Sequence, residues 1–353
     1  MIREIAFIAL LFCASCTSDH DVVQKEDPES INSLYKWVES SRKKNDLSSA
    51  INGLNKIIKL DSVNSLHHYN ISDVYFDLLE DRESYLMTNL NSALASKDTV
   101  AIDIAQQEIN NCVQKLGYHL ELSLKIDNKN HDALALKGKW FLIKAQHEEA
   151  IRFFNKSLVL DYNQEETHKN MGYAFKALQD FDKAINCFMN AVLINPEYFE
   201  AHMQLAEIFH LLDDTIALTH YNNALELEPS NQDALYGKAV FLHSQSYWDD
   251  ALIAYAELHK VNYTHVDGHY NLGFIHMELG LYDIAVNNFS DAITSRPDYY
   301  QAYYAKGNCL ETLGDVARAE YNYKKAIEIN PEYKYAIEAL LVLQENNKKY
   351  NKK

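Results

Sequence analysis

Val266-Asp267-Gly268-His269-Tyr270-Asn271-Leu272-Gly273 opens a block that continues through Leu279-Gly280-Leu281-Tyr282, Ala285, Phe289, Ala292 and Pro297. Thirty-four residues on, Gly307, Leu313-Gly314, Ala319, Tyr323, Ala326 and Pro331 stand at the same offsets. Each block is long enough for two helices and a turn, and small residues fall where such helices must approach closely. Glycine at the eighth block position leaves room that the large aromatic at the twenty-fourth can fill. Alanine at the twentieth lets the second helix come near, so Leu there is expected to cost about 1–3 kcal/mol of overpacking. Proline at the thirty-second stops the second helix before the next block begins.

The pattern extends outward from this stretch. Position 8 is also Gly138 and Gly172; position 20 is Ala150, Ala184, Ala217, Ala251, Ala285 and Ala319; position 24 is Phe154, Phe188, Tyr221, Tyr255, Phe289 and Tyr323. Four of the five prolines, Pro196, Pro229, Pro297 and Pro331, fall at position 32. Together these residues resemble the tetratricopeptide repeat, which implies an all-α fold, a right-handed α-α superhelix of stacked antiparallel helix pairs. Six repeats are expected at 131–164, 165–198, 199–231, 232–265, 266–299 and 300–333, with a capping helix at 334–347 and a basic tail at 348–353. The third is one residue short, with Asp213-Asp214 in place of a glycine-containing turn, and the turn is expected to absorb the deletion.

Residues 31–130 read as degenerate helical repeats. In 31–64, Val38 replaces the position 8 glycine, which predicts a wider helix crossing. Between 65 and 130 the register breaks; helices are expected near 66–79, 83–96 and 99–126, Ser84 and Thr88 miss the signature, and Asp98 is placed to cap the third. Such an irregular insert serves either packing or a partner.

The chain has 353 residues, 47% hydrophobic, with 10 Gly and 5 Pro, which describes a folded, helix-rich protein. A net charge of −17 speaks against nucleic acid as a partner, since phosphate binding draws on clustered cations. Cys112, Cys187 and Cys309 are widely separated and fall on helical positions, so packed free thiols are expected.

The first fifteen residues combine Arg3, an apolar run from Ile5 to Phe12 and small residues before Cys16. This resembles the signal peptide of bacterial lipoproteins, in which the Cys16 thiol is acylated, although Cys13 stands where Leu is usual. The resemblance implies a lipid anchor on Cys16, a flexible acidic tether over 16–30 (Asp19, Asp21, Glu26, Asp27, Glu29), and a place in the bacterial cell envelope, at the periplasmic or outer face of the outer membrane. The alternative is an uncleaved apolar N-terminus on a cytoplasmic protein.

In the repeat family, positions 2, 5, 9, 12 and 13 of the first helices line an inner groove. Transferred here, the groove residues are Lys169, Met203, Tyr236, Tyr270 and Tyr304 (position 5), Tyr173, Phe274 and Asn308 (position 9), and His210, His243 and Met277 (position 12). An aromatic, Met and His lining suits a peptide segment or helix of a partner protein. The competing reading is that the tyrosines pack against adjacent repeats. The family's clamp for C-terminal carboxylates is matched only by Lys169 and Asn271, with Tyr173 and Tyr304 where Asn and a cation belong. His265-x-Asp267-x-His269 holds metal-ligand residue types but straddles a turn and a helix start, so no metal or other cofactor is implied. No phosphate loop, nucleophile elbow or zinc-protease helix occurs, and the reading is a non-enzymatic adaptor. A structural subunit of an envelope complex, using the convex or N-terminal face, is the alternative; a glycan-binding lipoprotein is a weaker one.

Overall fold

The computed structural model describes residues 31–79 and 99–350. The expected leader, Cys16, the tether, the 83–96 helix, Ser84, Thr88 and Asp98 lie outside the described residues. Every regular element among those described is a helix: α1 (Ile31–Lys43), α2 (Leu47–Leu60), α3 (65–79), α4 (Thr99–Ile126), α5 (His131–Ile143), α6 (His147–Leu160), α7 (Glu165–Ala177), α8 (Phe181–Ile194), α9 (Phe199–Leu211), α10 (Ile216–Leu227), α11 (Gln232–Ser244), α12 (Trp248–Val261), α13 (Val266–Glu278), α14 (Tyr282–Ser295), α15 (Tyr300–Thr312), α16 (Val316–Ile329) and α17 (Lys334–Tyr350). None of them is long and apolar enough to cross a membrane. The chain forms two compact units, divided between Trp140 and Phe141, inside α5.

In the first unit, α1 and α2 pack through Leu34 and Val38 against Ala50, Leu54 and Ile57, joined by Ile71 and Val74 of α3 and Leu116 and Leu120 of α4. The expected wide crossing at Val38 is corrected by a swap. A Cβ on Gly53 of α2 would lie 2.7 Å from Val38 Cγ2 and 2.8 Å from Trp37, so the missing side chain has moved to the second helix. Arg42 ties the end of α1 to Asp73, at 3.0 Å, and Asp77, at 2.5 Å, on α3. The 28-residue α4 repeats the device: Gly117 sits under Trp140, whose indole Nε1–H donates to the Val113 carbonyl at 3.0 Å.

The second unit stacks helices in chain order, each touching the one before and after from α6 to α17. All six position 20 alanines are fully enclosed, and the position 24 aromatics are exposed by 2% or less. A Cβ at Gly172, Gly273 or Gly307 would come within 2.8, 2.5 and 2.5 Å of Phe188, Phe289 and Tyr323. The glycine is therefore the space the ring occupies, and burying each ring contributes roughly 1.5–3 kcal/mol. In the fourth repeat the glycine moves to Gly237 and faces Tyr221 of the preceding repeat at 2.6 Å. The position 32 prolines each follow the last helical residue by two.

The turns repeat as faithfully as the helices. Among the described residues, position 15 takes a positive φ in seven first-to-second-helix turns: Asn45 57°, Ala145 53°, Gln179 61°, Asp213 58°, Ser246 60°, Gly280 73° and Gly314 81°. This left-handed residue lets the Asp180 N–H reach the Phe175 carbonyl at 3.0 Å, and Asp315 that of Leu310 at 2.9 Å, closing the helix end. After the second helix, Asp61, Asp161, Asn195, Asn262 and Asn330 accept the backbone N–H two residues on, an Asx turn.

The third repeat corrects the expectation that its turn absorbs the deletion. Asp213 keeps the turn conformation of its equivalents. The residue is lost from the first turn of α10, where Ala217 N–H donates to Asp214 O, three residues back, at 3.0 Å. Its equivalents Ala184, Ala251, Ala285 and Ala319 bond four residues back. The terminal helix α17 runs to Tyr350, past the expected 347, and packs Leu340 and Leu343 on the last repeat.

Candidate functional site

The first helices of successive repeats touch directly, α9 with α11, α11 with α13 and α13 with α15, which sets them on the inner side of the stack. Along that side the position 5 residues of the fourth to sixth repeats form a column of half-buried rings, each held by two partners. One is the position 24 aromatic of the same repeat, and the other is a ring at position 34, just before the next first helix. Tyr236 lies 6.5 Å from Tyr255 and 4.8 Å from His265; Tyr270, 5.8 Å from Phe289 and 4.7 Å from Tyr299; Tyr304, 6.0 Å from Tyr323 and 5.5 Å from Tyr333. In the second repeat Lys169 holds the same position, its ammonium 5.4 Å over the Tyr198 ring. The tyrosines thus pack against neighbouring repeats, as the competing reading expects, and still present part of each ring.

The other expected groove residues divide. Tyr173 and Phe274 stand edge-on to Phe188 and Phe289, at 5.5 and 5.6 Å, and remain half-exposed. Met277 joins the same apolar cluster as Phe274. His210 Nδ1 lies 3.2 Å from the Tyr221 hydroxyl, and His243 leans on Trp248 at 5.6 Å. One residue is taken out of the groove, and another is engaged by a core ring. Met203 is 8% exposed and packs with Ala206, Tyr221 and Phe241, while Asn308 accepts the Tyr323 hydroxyl at 2.7 Å. Asn271 is likewise engaged, donating to the Tyr236 hydroxyl at 3.3 Å.

Position 2, a groove offset whose residues the sequence reading did not name, carries an acid in each of the second to fifth repeats, Glu166, Glu200, Asp233 and Asp267, along the edge of the ring column. Glu166 accepts from Tyr198 and from Lys169 at 2.9 Å; Asp267 accepts from Tyr299 and Arg296, both at 3.2 Å. Glu200, Asp233 and, at position 13, Glu278 are exposed. The position 34 rings were equally unassigned, though Tyr198, His265, Tyr299 and Tyr333 repeat at the block period. Burial, reinforced by Glu207, Glu200 and Glu166, raises the Tyr173 hydroxyl pKa, and burial with help from Tyr333, Tyr300 and Asp267 pushes Tyr270 up to about 12. Both stay protonated and able to donate. Burial also lowers His210 and His243, keeping them neutral near pH 7.

His265, Asp267 and His269 do not converge. His265 Nδ1 accepts the Gly268 N–H, Asp267 faces Tyr299 and Arg296, and His269 Nε2 faces the Tyr263 carbonyl. Among the described residues no three His, Cys, Asp or Glu side chains are arranged to hold a metal. Cys112, Cys187 and Cys309 are buried, and Cys187 and Cys309 are free thiols, as expected.

A family model described as tetratricopeptide repeat matches residues 215–263 and 270–334, and a second with that description matches 165–198. Over 194 residues the chain is 25% identical to BBSome complex member BBS4 of Bos taurus, covering 55% of this chain and 31% of that protein. It is 24% identical over 173 residues to the small glutamine-rich tetratricopeptide repeat-containing protein of Dictyostelium discoideum, covering 48% and 49%. The chain therefore spans less than half the length of either curated relative. Among solved structures, the C-terminal part of a TPR repeat-containing protein from Cytophaga hutchinsonii superposes with a TM-score of 0.59 at 11% identity, over 65% of this chain and 95% of that one. That likeness concerns the fold alone.

Proposed function

The chain is a tetratricopeptide-repeat protein, a class that mediates protein–protein interaction, and from that premise we propose that it is a non-catalytic adaptor whose inner groove holds an extended segment or helix of a partner protein. The observation that carries this is the half-buried ring column Tyr236, Tyr270 and Tyr304, rigidly backed and edged by acids at position 2. Rings fixed before binding give contact area at little entropic cost. The exposed carboxylates of Glu200, Asp233 and Glu278 favour a segment carrying Lys or Arg among apolar side chains.

We place the adaptor in the bacterial cell envelope, anchored at the outer membrane through an acylated Cys16, on the strength of the Ala14-Ser15-Cys16 stretch that ends the apolar leader. The test is capture from solubilised membranes with wild type beside a variant carrying Glu200→Lys, Asp233→Lys and Glu278→Lys, which leaves the packed rings intact. Loss of the main partner is expected; an unchanged partner list overturns the groove. Cys16→Ser is expected to move the protein out of the membrane fraction, and continued membrane association overturns the anchor.

A further inference from the structure

The His265-x-Asp267-x-His269 stretch, whose first two named residues also border the groove, lies at the joint between α12 and α13. His269, 2% exposed, turns Nε2 to the Tyr263 carbonyl. A carbonyl only accepts, so Nε2 carries the proton and Nδ1 is a bare lone pair, enclosed and without a partner. His259 of α12 lies against it, ring centroids 4.1 Å apart, with its own Nε2 also enclosed and unpartnered. His265 Nδ1 accepts the Gly268 N–H at 3.0 Å, capping α13, and its ring rests on Tyr236. As an acceptor His265 must be a neutral imidazole, and a proton placed on the enclosed nitrogen of His259 or His269 would find no acceptor.

We propose that this joint is a proton-operated release, in which three neutral histidines hold the fourth repeat to the fifth and acidification lets them part. This goes beyond the groove reading and does not depend on it. A proton on His265 Nδ1 sets donor against donor and removes the cap. One on His259 or His269 creates a cation in contact with a second imidazole. The groups around the pair give no compensation. Asp267 is directed to Tyr299 and Arg296, Tyr263 presents its ring at 5.2 Å to His269 and 6.1 Å to His259, and Glu257 and Lys260 of α12 are exposed. On the α11 flank the Gln232 amide bonds Asn262. Burial first, then His269 and His265, lowers His259 to about 4. The device recurs: His202 Nε2 faces the Pro196 carbonyl at 3.0 Å with Nδ1 3.1 Å from His220 Nδ1, and His68 repeats this with Ser62 at 3.2 Å and His119 at 3.1 Å.

The folded pKa lies below the unfolded value of 6.5. The unfolded chain therefore binds more protons between pH 6.5 and 4, and stability falls as pH falls through that window. From pH 7.5 to 5, His259 alone raises the unfolding constant about 30-fold. Urea unfolding of the full chain at both pH values tests this: His259→Leu is expected to lose about 30-fold of the acid sensitivity seen in wild type. Equal pH dependence in the two proteins overturns the proposal. Should the variant not fold, histidine ring-proton titration of wild type decides. A His259 ring still neutral at pH 5.5 in the folded protein is expected, and a His259 midpoint near 6.5 while the protein stays folded overturns the release.

Discussion

Gly273→Ala isolates the contact on which the repeat geometry rests. The new methyl would sit 2.5 Å from Phe289 Cε1, in a ring that is fully enclosed and braced by Tyr270 at 5.8 Å and Phe274 at 5.6 Å. Alanine gains about 0.8–1 kcal/mol of helix propensity over glycine. The overpacked contact costs roughly 1–3 kcal/mol, because the ring has nowhere to turn. A net loss of about 1 kcal/mol is expected in urea unfolding followed by circular dichroism. The diagnostic is a double-mutant cycle with Phe289→Leu, which alone costs roughly 1–1.5 kcal/mol. In the Gly273→Ala background the smaller side chain relieves the clash, so the cycle is expected to show coupling of about 1 kcal/mol or more. A variant more stable than wild type, or a cycle that closes additively, refutes the idea that glycine is there to admit the ring.

Two further outcomes follow from the turns and the core. Gly314→Ala, at φ 81° with open space around it, is expected to lose about 0.5–1 kcal/mol for backbone reasons alone, while Gln179→Gly, at φ 61°, moves thermal stability the other way; shifts of the same sign contradict this. Burial raises the Cys187 thiol to about 12 and Cys309 to about 11, and both are 4% exposed or less, so a thiol reagent at pH 8 is expected to label them only as the chain unfolds; prompt labelling of the native protein is the contrary result.

Those residues whose size alone states their role were legible in the sequence. Ala251 and Phe289 have one plausible use at a helix crossing, and Pro297 can only follow a helix end. Volume exchange between partners was not legible: Val38 looks like a defect until Gly53 is found beneath it. Nor was the left-handed turn residue, because Ala145, Gln179 and Ser246 adopt in the fold a conformation that their identity does not advertise. At the groove, the position 5 rings were found from the repeat offsets, but a single offset cannot say which neighbour a side chain meets. Met203 was lost to the interior for that reason, and the ring at position 34 was missed although it recurs as regularly as position 5. His269 read as a metal-ligand type. Only its carbonyl partner six residues back, on Tyr263, reveals which nitrogen is free.

The shortened third repeat has a geometric consequence. Removing one residue from an α-helix would drop everything beyond it by about 1.5 Å and rotate it by about 100°. The tightened bond from Ala217 to Asp214 avoids most of this, because three residues at roughly 2.0 Å each climb as far as four at 1.5 Å, leaving an azimuthal error of only about 40°. Ala217 consequently arrives at the same height as its counterparts and the stacking pitch is kept. Periodicity in space has here been uncoupled from periodicity in the gene product's numbering, and a block of thirty-three fits a lattice of thirty-four.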